Sequence, residues 1–278
     1  VILFKRSGES MSPLALNLFK STTAGIVMLP LWYLTEPNWI PEGITMADLG
    51  MLAISGIIGI TVADSLFFVC LNSLGAGLYS IIDCIYSPSM IFLSWLFLGE
   101  SMTVYHLIGS VLVIGGVLLA SSERKKLTHL SMKQFLMGTG AGMAAILLMV
   151  ISIIAVKPIL DNHSAIFVVE SRMIPAVILL NLIAVFRKDR KRIYKSVVSK
   201  NAFRLALPGA ILGNVLSMLS WVAAFKFTDL GSASVLNQTN VIFVVVLAAI
   251  FLHEPLDKRR IFAIALGFCG SVIILTGG

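Results

Sequence analysis

Phe97-Leu98-Gly99-Glu100 returns, 154 positions later, as Phe251-Leu252-His253-Glu254. The same shift, without a gap, lays Gly56-Ile57-Ile58-Gly59 on Ala210-Ile211-Leu212-Gly213, Gly77 on Gly231, Ser80 on Ser234 and Gly116 on Gly270. Each match is weak alone. One ungapped offset held over about sixty residues is not a by-product of shared apolar composition, so the chain reads as a duplication.

Around these motifs, apolar runs of roughly 20 residues recur, the length that crosses a hydrocarbon core ~30 Å thick. They fall at 14–34, 47–70, 76–98, 103–121, 134–157, 164–186, 204–226, 232–252 and 260–276. Val1-Ile2-Leu3-Phe4, before Lys5-Arg6, reads as the tail of a further span whose beginning is absent. The expected fold is all-α, a polytopic transmembrane bundle of about ten spans. It divides into a first repeat over 1–122, a linker over 123–133 and a second repeat over 134–278.

Composition points the same way. Of the 278 residues 58% are hydrophobic and only 13% charged, with a mean hydropathy of +0.95, which excludes an ordinary soluble domain. The net charge of +7 is not a nucleic-acid signature, since no basic stretch interleaves with aromatics. Cys70, Cys84 and Cys269 sit in apolar runs without metal or disulfide spacing and read as small packing residues.

The basic residues set orientation instead. One set of alternate loops carries Lys5, Arg6, Arg124, Lys125, Lys126, Lys133, the cluster of Lys and Arg between Arg187 and Arg204, and Lys258, Arg259 and Arg260. The opposite set carries only Lys157 and Lys226. Cytoplasmic loops accumulate positive charge, which places the basic set inside and both termini of a ten-span chain outside. Five spans per unit is an odd number, so the second copy enters the membrane in the opposite sense. Inverted repeats of this kind characterise secondary transporters, with a binding site near the midplane.

Three stretches resemble the EamA-type branch of the drug/metabolite transporter superfamily. They are Ser12-Pro13-Leu14-Ala15-Leu16-Asn17-Leu18-Phe19-Lys20, the Leu98-Gly99-Glu100 segment before a Gly-rich span, and Leu252-His253-Glu254-Pro255. The resemblance covers essentially the whole chain and implies a transporter without specifying its substrate. Lys20 stands where such proteins usually carry Arg, and Asp64 and Asp83 stand where they usually carry apolar or small residues.

A charge at bilayer depth costs ~3 kcal/mol or more, so intramembrane polar groups normally face a cavity or a partner. Asp64 and Asp83 flank a short turn over Asn72-to-Gly77, and a hairpin there brings them to similar depth as a candidate ion-coupling pair. The alternative is that one of them caps a neighbouring hydroxyl or pairs with Lys20 or Arg172. The duplication lays Asp83 on Asn237 and Tyr86 on Asn240, two i, i+3 pairs expected to line a substrate site. Asn214, Ser217 and Trp221 are further substrate-site candidates, spaced to share a helix face, although Trp221 reads equally as a packing or lipid-facing aromatic. Lys20 and Arg172 are candidate counter-ions to an anionic substrate, or snorkel to the interface. Glu100 and Glu254 sit at span ends, where a capping role is favoured.

The reading is a secondary carrier of a small organic solute (a metabolite, amino acid or drug-like compound) working by alternating access. The gradient of the solute itself or of protons supplies the driving force, since no phosphate-binding loop is present. Expected partners are the small-molecule substrate, the lipid bilayer, protons and a second copy of the chain. No nucleic acid, metal or cofactor is expected, and the location is a multi-pass position in the plasma membrane. Two other classes compete with it: an intramembrane aspartyl protease using Asp64 and Asp83, and a non-transporting scaffold. The repeat offers no second aspartate at either equivalent position, and a scaffold has no need of inward polar residues.

Overall fold

The structure, a computed structural model, describes residues 1–36, 39–101, 103–121, 131–200, 202–227, 229–252 and 258–277. The motif residues His253, Glu254 and Pro255, and the expected linker as far as residue 130, lie outside them. All regular structure among the described residues is helical. The helices are α1 (Ile2–Ser7), α2 (Pro13–Thr35), α3 (Met46–Leu74), α4 (Ala76–Leu98), α5 (Val104–Ser121) and α6 (Met132–Asn162), followed by α7 (Ala165–Phe186), α8 (Arg190–Val197), α9 (Ala202–Phe227), α10 (Leu230–Leu252) and α11 (Lys258–Gly277). Among the described residues six of these, α2, α3, α4, α6, α7 and α9, are long and apolar enough to cross a membrane. Shorter apolar runs cover Val104–Gly116 and Ile261–Ile274.

Their starts follow from local chemistry. Ser12 and Ser164 accept hydrogen bonds from the backbone N–H of Ala15 and Phe167 at 3.3 and 3.2 Å, capping α2 and α7, and Pro13 occupies a first-turn position that needs no N–H donor. Thr45 and Asp48 form a reciprocal capping box at the head of α3, and Ser131 with Gln134 forms another before α6. The Leu98-Gly99-Glu100 motif now has a structural meaning. Gly99 ends α4 at φ 70°, a left-handed conformation that favours glycine, and a carboxylate oxygen of Glu100 accepts from the N–H of Leu230, the first residue of α10, at 3.3 Å.

The duplication is written in the helix boundaries. The 154-residue shift carries Ala76 onto Leu230 and Leu98 onto Leu252, the ends of α4 and α10, and Val104 onto Lys258, the starts of α5 and α11. It also carries a π-helical segment of α3, beginning at Ile57, onto one in α9 beginning at Ile211. These wide turns, a third over Ala202–Ala206, and helix α8 inside the basic loop are not visible in hydrophobic periodicity. The turn expected over Asn72-to-Gly77 contracts to a break at Gly75, whose φ is 88°. Asn72 remains helical and Gly77 is already inside α4.

The chain forms two compact units, each drawing on both repeats. Residues 3–68 and 151–227 make the first, and residues 69–150 and 228–278 the second. In the first unit α7 packs along α2 and α3, and α9 against α2 and α7. A Cβ at Gly56 would collide with the Arg172 backbone carbonyl, so α3 and α7 cross backbone against backbone. In the second unit the pair α5 and α11 is similarly close, a Cβ at Gly109 meeting the Gly270 carbonyl and one at Gly116 lying 2.7 Å from that of Ala263. There α4 also packs on α10, its equivalent in the duplication.

Candidate functional site

The first unit concentrates polar groups inside its helices. Where α3 widens into its π segment, backbone carbonyls lose their usual i+4 donors. Asn17 of α2 supplies replacements: its Nδ2 donates to the carbonyls of Ile60 at 2.8 Å and Thr61 at 3.3 Å, and reaches Ser65 Oγ at 3.0 Å. Thr61 donates its hydroxyl to the Ala176 carbonyl of α7 at 3.2 Å, and Ser55 donates to the Ser152 carbonyl of α6 at 2.6 Å.

One turn beyond Asn17, buried Lys20 forms an ion pair with Asp64, with its ammonium 5.7 Å from the centre of the Phe68 ring. Arg172 is 0% exposed, and its Nη2 lies 3.1 Å from Ser152 Oγ, while Nε and Nη1 have no hydrogen-bond partner among the described residues. Glu170, two residues earlier on α7, is also 0% exposed, and neither carboxyl oxygen has a partner among the described residues. Sequence reasoning passed over Glu170, although an acidic residue inside the apolar run Phe167-Val168-Val169-Glu170 was a signal for it.

Of the other candidates in this unit, Asn214 is buried with an unpartnered Nδ2, Ser217 is exposed, and Trp221 is half-buried with its ring edge-on to Phe225 at 4.9 Å. The even spacing expected for these three assumes 3.6 residues per turn. The π segment over Ile211–Leu216 breaks that period, which accounts for the split between buried Asn214 and exposed Ser217.

In the second unit Tyr79 donates its hydroxyl to Asp83 at 2.9 Å, one turn away on α4, and Tyr86 is buried a turn further on. Asn237 is half-buried and Asn240 exposed on α10. The two i, i+3 pairs therefore lie on helices packed against one another. Asp64 and Asp83 belong to different compact units, and Asp64 has Lys20 as its partner.

Outside the apolar helices, Arg187 Nε donates to Asp189 at 2.8 Å, which holds the Asp189 carboxyl below its usual range and raises the guanidinium. The neighbouring Lys188, Arg190, Lys191, Arg192 and Lys195 are exposed, and Ile193 is the buried residue of α8. No group of three or more His, Cys, Asp or Glu placed to hold a metal occurs among the described residues.

A model of the EamA-like transporter family matches residues 1–122 and 136–276. The chain belongs to that family. The two matched segments follow the two repeats, and EamA-like proteins are multi-pass membrane transporters rather than enzymes. A solved structure titled "Crystal structure of protein" superposes with a TM-score of 0.70, covering 99% of this chain and 91% of that one. At 16% identity that likeness is one of fold. Comparison with curated proteins gives no match.

Proposed function

We propose that this EamA-like protein is a secondary carrier that moves a small organic solute by alternating access between two inverted five-helix repeats. The observation that carries the reading is the family match over both halves, together with helix ends and π segments that recur at one offset. A duplication with five spans per copy generates opposite orientations, and rocking of such halves exposes a central site to either side in turn. Within the second unit the substrate site is assigned to Asp83, Tyr86, Asn237 and Asn240 on α4 and α10, and within the first unit Asn214, Ser217 and Trp221 on α9 are the substrate-contact candidates. Proton coupling is assigned to Asp83 rather than Asp64, because Asp64 is committed to Lys20. Lys20 and Arg172 then act in positioning the helices of the first unit before any role as counter-ions. The plasma membrane is the proposed location, and a homodimer the proposed assembly.

Uptake into proteoliposomes with and without an imposed pH gradient tests this reading. Gradient-dependent uptake that Asp83→Asn abolishes supports the coupled carrier. Uptake unchanged by both the gradient and the substitution makes Asp83 structural and the carrier a facilitator or exchanger.

A further inference from the structure

The seam between α2 and α7 in the first unit holds more unmet polar groups than a structural contact requires. Among the described residues both carboxyl oxygens of Glu170 lack a hydrogen-bond partner, and so do the buried indole N–H of Trp32 and the hydroxyl of Thr22. Thr22, Gly25 and Trp32 fall on one face of α2 by helical spacing, and Gly25 places that face against Met173 and Glu170 of α7. A buried carboxyl with neither oxygen hydrogen-bonded is a costly group for a helix seam to hold, and native proteins rarely leave one without a purpose.

Among the described residues no cation pairs with Glu170, although Arg172 keeps Nε and Nη1 unmatched on the same helix. Lys20 pairs with Asp64, Arg172 turns its Nη2 to Ser152, and Lys226 donates to the His163 carbonyl at 2.7 Å. A carboxyl left unmet among the described residues is a ready partner for a cation from outside the chain.

The rings next to it narrow the class. Trp39, 42% exposed, lies 5.2 Å from Trp32, 7% exposed, which lies 6.1 Å from Phe167, 1% exposed and one helical turn from Glu170. This graded series of aromatic faces, running from the surface to a buried carboxyl, is a set of surfaces suited to an organic ammonium. Gly25 lies directly beside the carboxyl, since a methyl there would sit 3.4 Å from Met173 Cγ and 4.0 Å from Glu170 Oε2.

We propose that the α2–α7 seam is a binding site for an organic ammonium, with Glu170 as its anion and Trp32 and Phe167 as its aromatic wall. The inference deepens the carrier reading by naming a substrate class, and its site lies wholly within one compact unit. The ammonium donates to both Glu170 oxygens and neutralises the charge, while an attached ring or alkyl group lies against the indole.

The test is equilibrium binding to the detergent-purified full chain, using benzylammonium, benzyl alcohol and benzoate as probes and each variant's melting temperature as a check on folding. The site predicts that benzylammonium binds the unaltered chain at least about tenfold more tightly than either other probe, the scale of one charge-assisted pair. It also predicts that Glu170→Gln removes that preference. Gly25→Ala keeps ordinary contacts and the fold, yet narrows the approach, so benzylammonium binding weakens even if Glu170→Gln fails to fold. Equal binding of the three probes, or unchanged benzylammonium affinity in a folded Glu170→Gln or Gly25→Ala protein, overturns the proposal. Because no flux is measured, a chain that binds benzylammonium and transports nothing would retract the carrier reading and leave this site standing.

Discussion

Asn17 donates to the Ile60 carbonyl across 2.8 Å and so ties α2 to the π-helical turn of α3. Its second contact, to Thr61, and the hydroxyl of Ser21 donated to Asn17 Oδ1 at 3.1 Å complete a buried network. Replacing Asn17 by Leu leaves these carbonyls unmet, and a buried acceptor without a donor costs about 1–3 kcal/mol. The expected result is a clear fall in the melting temperature of the purified protein. Ser21→Ala, which removes a single donor, should lower it less.

The Lys20–Asp64 pair makes a sharper prediction. Removing one member of a buried pair strands the other and costs about 3–5 kcal/mol, whereas replacing both with apolar residues of similar size is often close to neutral. Lys20→Met and Asp64→Leu should each unfold or strongly destabilise the protein, and the double variant should recover most of the loss. Thermal melting of the four proteins checks this. If instead Asp64→Leu alone is well folded and loses transport, Asp64 serves the carrier cycle rather than the packing of α2 on α3.

Most of the helical plan was legible because the bilayer imposes one length and one polarity on each span. The expected run 76–98 coincides with α4, and 164–186 differs from α7 by a single residue at its start. The duplication was equally legible, since one offset aligns both motifs and helix ends. The site was much less so. Helical-face arguments about Asn214, Ser217 and Trp221 rest on a regular period that a π segment interrupts, and wide turns leave no hydrophobic signature. The pairing of Asp64 with Lys20, one of the alternatives the sequence left open, depends on which helices pack together, and neighbours in sequence do not determine that. Glu170 was visible as an acidic residue in an apolar run, but its lack of a partner is a property of the packed structure alone.

The crossing of α3 and α7 predicts a contrast between two glycines. Gly56→Ala drives a methyl group into the Arg172 backbone, which cannot yield without separating the helices. Gly115→Ala meets nothing within 4 Å among the described residues and removes a flexible residue from a helix. The first should abolish or severely reduce yield and melting temperature, and the second should leave both unchanged or slightly improved.

In the basic loop, hydrogen bonding to Arg187 lowers the Asp189 carboxyl below its usual range. A depressed carboxylate contributes stability above its unfolded-state pKa, and that contribution disappears as pH falls through the lower folded-state value. Both side chains are well exposed, so the effect is small and screened by salt. Asp189→Asn should lower the melting temperature detectably only at neutral pH and low salt, and the difference should vanish in acid or at physiological ionic strength.

The most direct test of the carrier itself is solute counterflow. Proteoliposomes holding the full chain are preloaded with unlabelled benzylammonium and diluted into a trace of the labelled compound, with amino acids and other small metabolites run in parallel. The account predicts transient accumulation of at least one labelled solute above the level in protein-free vesicles, which only a protein that exposes one site alternately to the two sides produces. Accumulation no greater than in protein-free vesicles for every solute, from protein shown to be folded by its melting transition, would contradict it.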